Sequence, residues 1–127
     1  MSEHIDRHLR KDTQSSDLLQ HAKLYVLATK YMVNDLPEIS LHKLHRNIVK
    51  FKVEDESIDN IIDLVLYTYT NTSDEGDILK GTADKLRDLV MAYVTWKQKE
   101  LTEYEALRQM LGAGGAHTVD YIALICA

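Results

Sequence analysis

The run IDNIIDLVLYTY, residues 58–69, decides the fold class. Its many β-branched residues favour a strand by propensity. Its period favours a helix: Ile58, Ile61, Ile62, Val65, Leu66 and Tyr69 fall at i, i+3, i+4, i+7, i+8 and i+11, with Leu64 and Tyr67 flanking them. That pattern fills one face of a 3.6-residue helix without a gap, and period outranks propensity. A helix is expected over 56–71, with Val53-Glu54-Asp55-Glu56-Ser57 offering several capping side chains before it.

Upstream, Leu41, Leu44, Ile48 and Phe51 repeat at intervals of 3, 4 and 3, with Ile39 beside them, predicting a helix over 37–51. Pro37 suits its first turn, where a backbone N–H has no helical partner. Before it, HAKLYVLATKY (residues 21–31) lies in a helix expected over 16–32, capped by Ser15 or Ser16 with Asp17 in the first turn. The middle of that helix, Leu24 to Ala28, is apolar all the way round, so it asks for cover on every side. The break at Asn34-Asp35-Leu36-Pro37 is short, which predicts an antiparallel helical hairpin.

Downstream, NTSDEGDILKGT (residues 71–82) is the longest loop. Thr82 is the expected cap of a helix over 83–100, whose stripe is Leu86, Leu89, Val90, Tyr93 and Val94, widened by Met91 and Trp96. Thr102 with Glu105 spells a capping box for a helix over 103–111, and Gly112-Ala113-Gly114-Gly115 stops it. The last apolar segment, from Thr118 to Ala127, reads as helical. Residues 1–15 form a polar tail, with only Ile5 and Leu9 large and apolar after Met1. The fold expected for 16–127 is all-α, a bundle of five to six helices built from helical hairpins.

Composition narrows the function classes. A chain of 127 residues is the size of one domain, and 45% hydrophobic residues are enough for a core. A net charge of −5 argues against a nucleic-acid partner, because binding phosphate needs a basic face. No apolar run approaches the ~20 residues of a membrane span. One cysteine, Cys126, cannot form a disulfide within the chain, which fits an intracellular, reducing compartment, cytoplasm or nucleus.

The chemistry-bearing residues read mostly as structural. His42 and His45 stand at i, i+3 on one helix, but a zinc site needs three or four ligands, so no metal is expected. Cys126 lacks a basic sequence neighbour to activate it and reads as a small buried hydrophobe. The 112–115 glycine run has no lysine and no preceding strand, unlike a phosphate loop. Glu54, Asp55, Glu56, Asp74 and Glu75 sit beside helix starts and serve dipoles and caps. Tyr67, Tyr69, Tyr93 and Trp96 read as core aromatics. No acid–base pair, activated nucleophile or cofactor loop emerges, so the expectation is a non-enzyme without a cofactor.

The blocks of this chain carry a family resemblance in a fixed order. HAKLYVLATKY followed by LPEISLHKLHRNI resembles the closing helical hairpin of BTB/POZ domains, the fungal type above all. VEDESIDNIIDLVLYTYTNT, DKLRDLVMAYVTWKQKEL and YEALRQMLGAGG are similar to the helices that follow in that family. The resemblance spans residues 18–115. The strands and first helices of the BTB front half have no counterpart in this sequence, and Pro37 is displaced from the family's usual proline.

The resemblance implies a non-catalytic adaptor or oligomerisation module that binds proteins. Some family members dock to a cullin-type ubiquitin ligase, but the loops for that role belong to the front half, so only the interaction class carries over. With the front half missing, an apolar surface is expected at Leu24, Leu27 and Ala28 and along the second-helix stripe Leu41, Leu44 and Ile48, closing as a homodimer. Two alternatives stand beside it: a scaffold segment that stabilises a BTB front half, and a helical regulator holding a small apolar ligand between helices.

Overall fold

The computed structural model describes residues 18–126. The expected 1–15 tail and the Ser15/Ser16 cap lie outside them. Among the described residues there are seven helices and no strand, so the all-α reading stands. They are α1 (18–30), α2 (Leu36–Val49), α3 (Ile58–Asn71), α4 (Lys85–Trp96), α5 (Gln98–Leu101), α6 (Glu105–Gly112) and α7 (Ala116–Cys126).

Helices α3 and α4 form the centre. They pack on each other; α3 also meets α6 and α7, and α4 meets α2, α5 and α7. One core runs through all of them, from Leu18 and Ala22 of α1, through Leu44, Ile61, Val65, Leu86 and Val94, to Leu107 and Tyr121. Each of its fully buried aliphatic side chains contributes about 1.5–3 kcal/mol before entropy is subtracted.

α1 ends in a Schellman motif. Met32 N–H donates to Thr29 O at 3.3 Å and Val33 N–H to Ala28 O at 3.0 Å, with Met32 in the left-handed region at φ 56°. Asp35, which precedes α2, is also left-handed at φ 62° and makes no side-chain cap. Two non-glycine left-handed residues therefore turn the chain between α1 and α2.

Several sequence expectations shift. The buried face of α3 is Ile58, Ile61, Leu64, Val65 and Thr68, while Leu66 points outward. Thr68 fits inside because its hydroxyl donates back to Leu64 O at 2.7 Å. The single helix expected over 83–100 breaks at Lys97, with φ −99° and ψ 15°. Next to the break, the Thr95 hydroxyl turns back onto the Met91 and Ala92 carbonyls, a contact that bends helices. This break takes the helix number past the five to six expected.

Asp84, not Thr82, caps α4, its Oδ1 accepting from Leu86 N–H at 2.9 Å. Thr82 is occupied inside the preceding loop, where its hydroxyl accepts from Asp77 N–H at 2.7 Å. A Cβ on Gly76 would meet Thr82 O at 2.2 Å, so this loop turn requires glycine. The Thr102–Glu105 capping box does not form either. The Thr102 hydroxyl donates to Gln98 O at 2.6 Å, at the end of α5, and Tyr104 precedes α6 without a side-chain cap.

Candidate interaction surfaces

Two buried side chains, Arg87 and His117, tie helices together. Arg87 on α4 is buried, and its guanidinium reaches the C-terminal end of α3. Nε donates to Thr72 Oγ1 at 2.7 Å, while one Nη donates to Thr72 O at 3.0 Å and Tyr69 O at 3.4 Å. The same Nη pairs with Asp74 Oδ1 at 2.8 Å, and the guanidinium carbon lies 4.2 Å from the Tyr69 ring centroid. A cation at a helix C-terminus satisfies orphan carbonyls and the dipole together.

Tyr69 extends the network towards α7. Its hydroxyl donates to Asp120 Oδ2 at 2.5 Å, and its ring meets His117 edge-on at 5.9 Å. His117 is buried with Nε2 3.2 Å from Met110 O. Burial, then the Asp120 hydrogen bond, push the Tyr69 phenol far above its ordinary range. At the N-terminal cap of α4, Tyr25 of α1 donates to Asp84 Oδ1 at 3.0 Å. Burial first, then the neighbouring Asp84 and Asp120 carboxylates, raise the Asp88 carboxyl.

No group of three or more His, Cys, Asp or Glu residues among the described residues could hold a metal ion. His42 and His45 are both exposed on α2. Cys126 is exposed, correcting its reading as a buried hydrophobe. No helix among the described residues is long and apolar enough to cross a membrane.

The six residues expected at a partner surface divide. Leu24 and Leu27 are exposed, at 41% and 52%. Leu41 is partly buried against the core. Ala28, Leu44 and Ile48 are buried, and Leu44 and Ile48 belong to the core cluster. The expectation of an open second-helix stripe is therefore corrected: α4 packs on α2 and helps bury that stripe. The downstream helices supply the cover that the first helix asked for on its Leu18, Ala22, Tyr25 and Ala28 side, and not on its Leu24 and Leu27 side.

Two surfaces result. The first is the outer face of α1, where Leu24, Leu27 and Tyr31 stand at i, i+3 and i+7 and are all exposed, followed by exposed Met32 and Val33. The second is a groove of about 390 Å³ between α2 and α4, lined by His45, Ile48, Val49, Leu89, Ala92, Tyr93 and Trp96. Its far wall is Trp96, at 60% exposed rather than in the core, and the Lys97 amine stands 4.4 Å from the Trp96 ring centroid. A wider cleft of about 850 Å³ lies between the α1–α2 turn and the 73–84 loop, with Met32, Asp35, Tyr25 and Asp84 among its walls.

Sequence reasoning missed the groove, although Leu89, Ala92 and Trp96 at i, i+3 and i+7 spell its α4 wall. The missing signal is direction: an apolar residue at helical spacing does not say whether its face is covered.

Comparison of the chain with family models, with curated proteins and with solved structures gave no match in any of the three.

Proposed function

We propose that this chain is a non-catalytic protein–protein interaction module of the BTB type, and that it self-associates as a homodimer through the outer face of α1. One observation carries the reading: five large apolar residues within ten positions, Leu24, Leu27, Tyr31, Met32 and Val33, are exposed. A soluble chain rarely leaves a contiguous apolar face bare. Spacing of i, i+3 and i+7 is what one helix presents to another, and a two-fold axis lets the same stripe meet itself. The order of helical blocks that resembles the BTB closing hairpin and its extension supports the same class, as does the engagement of Arg87 and His117 in tying helices together.

Sedimentation at micromolar concentration tests the proposal. The expected species is a dimer, converted to a folded 14.6 kDa monomer by Leu27→Asp, which places a charge in an apolar contact. A folded monomer of the unaltered chain at that concentration overturns it.

A further inference from the structure

The solvent faces of α2 and α3 carry opposite charge, on helices that the α1 reading does not use. From Lys43 to Lys52 the chain has four Lys or Arg residues and no carboxylate; from Glu54 to Asp63 it has five carboxylates and no Lys or Arg. On α2, Ile39, Lys43, Arg46 and Lys50 step by 4, 3 and 4 along the side away from buried Ser40, Leu44 and Ile48. On α3, Asp59, Asp63 and Leu66 step by 4 and 3 along the side away from buried Ile61, Leu64, Val65 and Thr68. Asp55, four residues before Asp59, continues that line into the turn that precedes the helix. All eight of these side chains are exposed, and the six charged ones are in no ion pair among the described residues.

The two faces look in opposite directions. Both helices pack on α4. Arg87 of α4 reaches Tyr69 and Thr72 of the α3 end, while Trp96 walls the groove shared with α2. Nine residues at about 100° each set those two side chains on opposite sides of α4. A chain that is basic on one side and acidic on the other cannot match the two faces within itself, and it can match them against a second copy.

The spacings also agree. Read backwards, Leu66, Asp63, Asp59 and Asp55 step by 3, 4 and 4. Laid antiparallel on Ile39, Lys43, Arg46 and Lys50, they fall in register to within one residue, about 1.5 Å. Apolar then meets apolar at one end, and each cation meets a carboxylate. Nucleic acid would meet the same cations, but it would leave Ile39 and the whole α3 face unmatched.

We propose that the outer face of α2 docks on the outer face of α3 in a second copy of this chain, antiparallel and head to tail, with Ile39 on Leu66, Lys43 facing Asp63, Arg46 facing Asp59 and Lys50 facing Asp55. Each copy offers one face of each kind, so the contact extends into a ring or an open chain. Exposed ion pairs are individually weak and screened by salt, so the association belongs to concentrations above the micromolar range of the α1 dimer.

Sedimentation from micromolar to millimolar protein tests the proposal. At about 0.01 M ionic strength, where the Debye length is about 30 Å, the average mass should rise with concentration past the dimer; at about 1 M, where it is about 3 Å, the rise should be lost. One variant, Lys43→Glu with Arg46→Glu, makes both faces acidic. A second, Asp59→Lys with Asp63→Lys, makes both basic. Each alone should lose the rise while keeping its helices by circular dichroism, and an equimolar mixture of the two should regain it. Lys80→Glu with Lys99→Glu changes the net charge as the first variant does, at exposed positions off both faces, and should keep the rise. Leu27→Asp, on α1, should lower the starting mass and leave the rise in place, so the two contacts fail separately.

A mass that stays level at low salt overturns the proposal and leaves the α2 cations to a partner of another kind. So does a rise that persists in either variant alone, or a mixture that behaves as the sum of its parts.

Discussion

The Tyr25 hydroxyl and the Leu86 amide share one acceptor, Asp84 Oδ1, at 3.0 and 2.9 Å. The cap of α4 thereby anchors a helix 59 residues away in sequence. Tyr25→Phe removes the long-range bond and leaves the cap, so it should cost about 0.5–1.5 kcal/mol. Asp84→Ala removes both the cap and the Tyr25 bond, so it should cost more, about 2 kcal/mol. Urea unfolding of the two variants checks the order. Equal costs would mean that the cap contributes nothing.

Alkali should loosen the fold through its buried phenols. Burial, then the Asp84 carboxylate, push the Tyr25 phenol from 10.0 up to about 12. Burial, then Glu100, push Tyr93 up to about 12 as well. The folded chain holds these protons more tightly than the unfolded chain does. Their stabilisation is therefore whole below pH 10 and is lost as pH rises towards about 12. The denaturation midpoint should fall across that window, and tyrosinate absorbance should appear in step with unfolding for the buried phenols. A midpoint that holds level through the window contradicts the raised phenols.

Two changes involving glycine should act in opposite directions. Met32 holds a left-handed conformation that costs an L-residue about 1–2 kcal/mol. Its side chain is almost fully exposed, so Met32→Gly should stabilise by roughly 0.5–1 kcal/mol. At Gly76 a Cβ would strike the Thr82 carbonyl, and Gly76→Ala should destabilise by more than about 1 kcal/mol. Thermal melts of the pair report both signs.

The ion pair of Arg87 and Asp74 should prove strongly asymmetric. Asp74 is 84% exposed, so Asp74→Ala should cost below about 1 kcal/mol. Arg87→Ala leaves the Tyr69 and Thr72 carbonyls without their donor and takes the guanidinium off the Tyr69 ring, which should cost about 3 kcal/mol. Similar losses from the two variants would show that the salt bridge, and not the helix-end bonds, is the source of stability.

Tyr93 makes the converse case. Its hydroxyl is buried without a hydrogen-bond partner. Tyr93→Phe keeps the ring against Trp96 and removes the unpaired group, so stability should hold or rise by up to about 1 kcal/mol. A clear loss in urea unfolding would reveal a partner for that hydroxyl.

The helices were legible in the sequence because burial imposes a 3.6-residue period that the 58–69 run keeps without interruption. Which side of each helix is covered was not. Leu66 and Trp96 continue their stripes by spacing and yet face solvent, because the width of a covered face depends on how many neighbours pack there. Arg87 stands in the sequence as one polar residue among apolar ones, and the carbonyls it serves lie 15 and 18 residues earlier, beyond the reach of local spacing. Thr82 and Asp84 are equally good caps on paper. The turn at Gly76 decided between them by bringing Asp77 to the Thr82 hydroxyl. At the candidate surfaces, Leu24 and Leu27 were legible as an uncovered excess of apolar residues, whereas the α2–α4 groove depends on how two distant helices lie together.

The bond from Tyr69 to Asp120 has a consequence for how the chain is made. α7 closes against α3, α4 and α6, and it is the last of these helices to leave the ribosome. At ordinary rates of synthesis, the stretch from Asn71 to Ala116 takes about 2–9 s to appear. Through that interval the Tyr69 hydroxyl and the α3 face that receives α7 stand open. A newly made chain therefore passes through a period in which its central helices are present and unsealed, and there a chaperone or a neighbouring nascent chain competes with its own C-terminal helix.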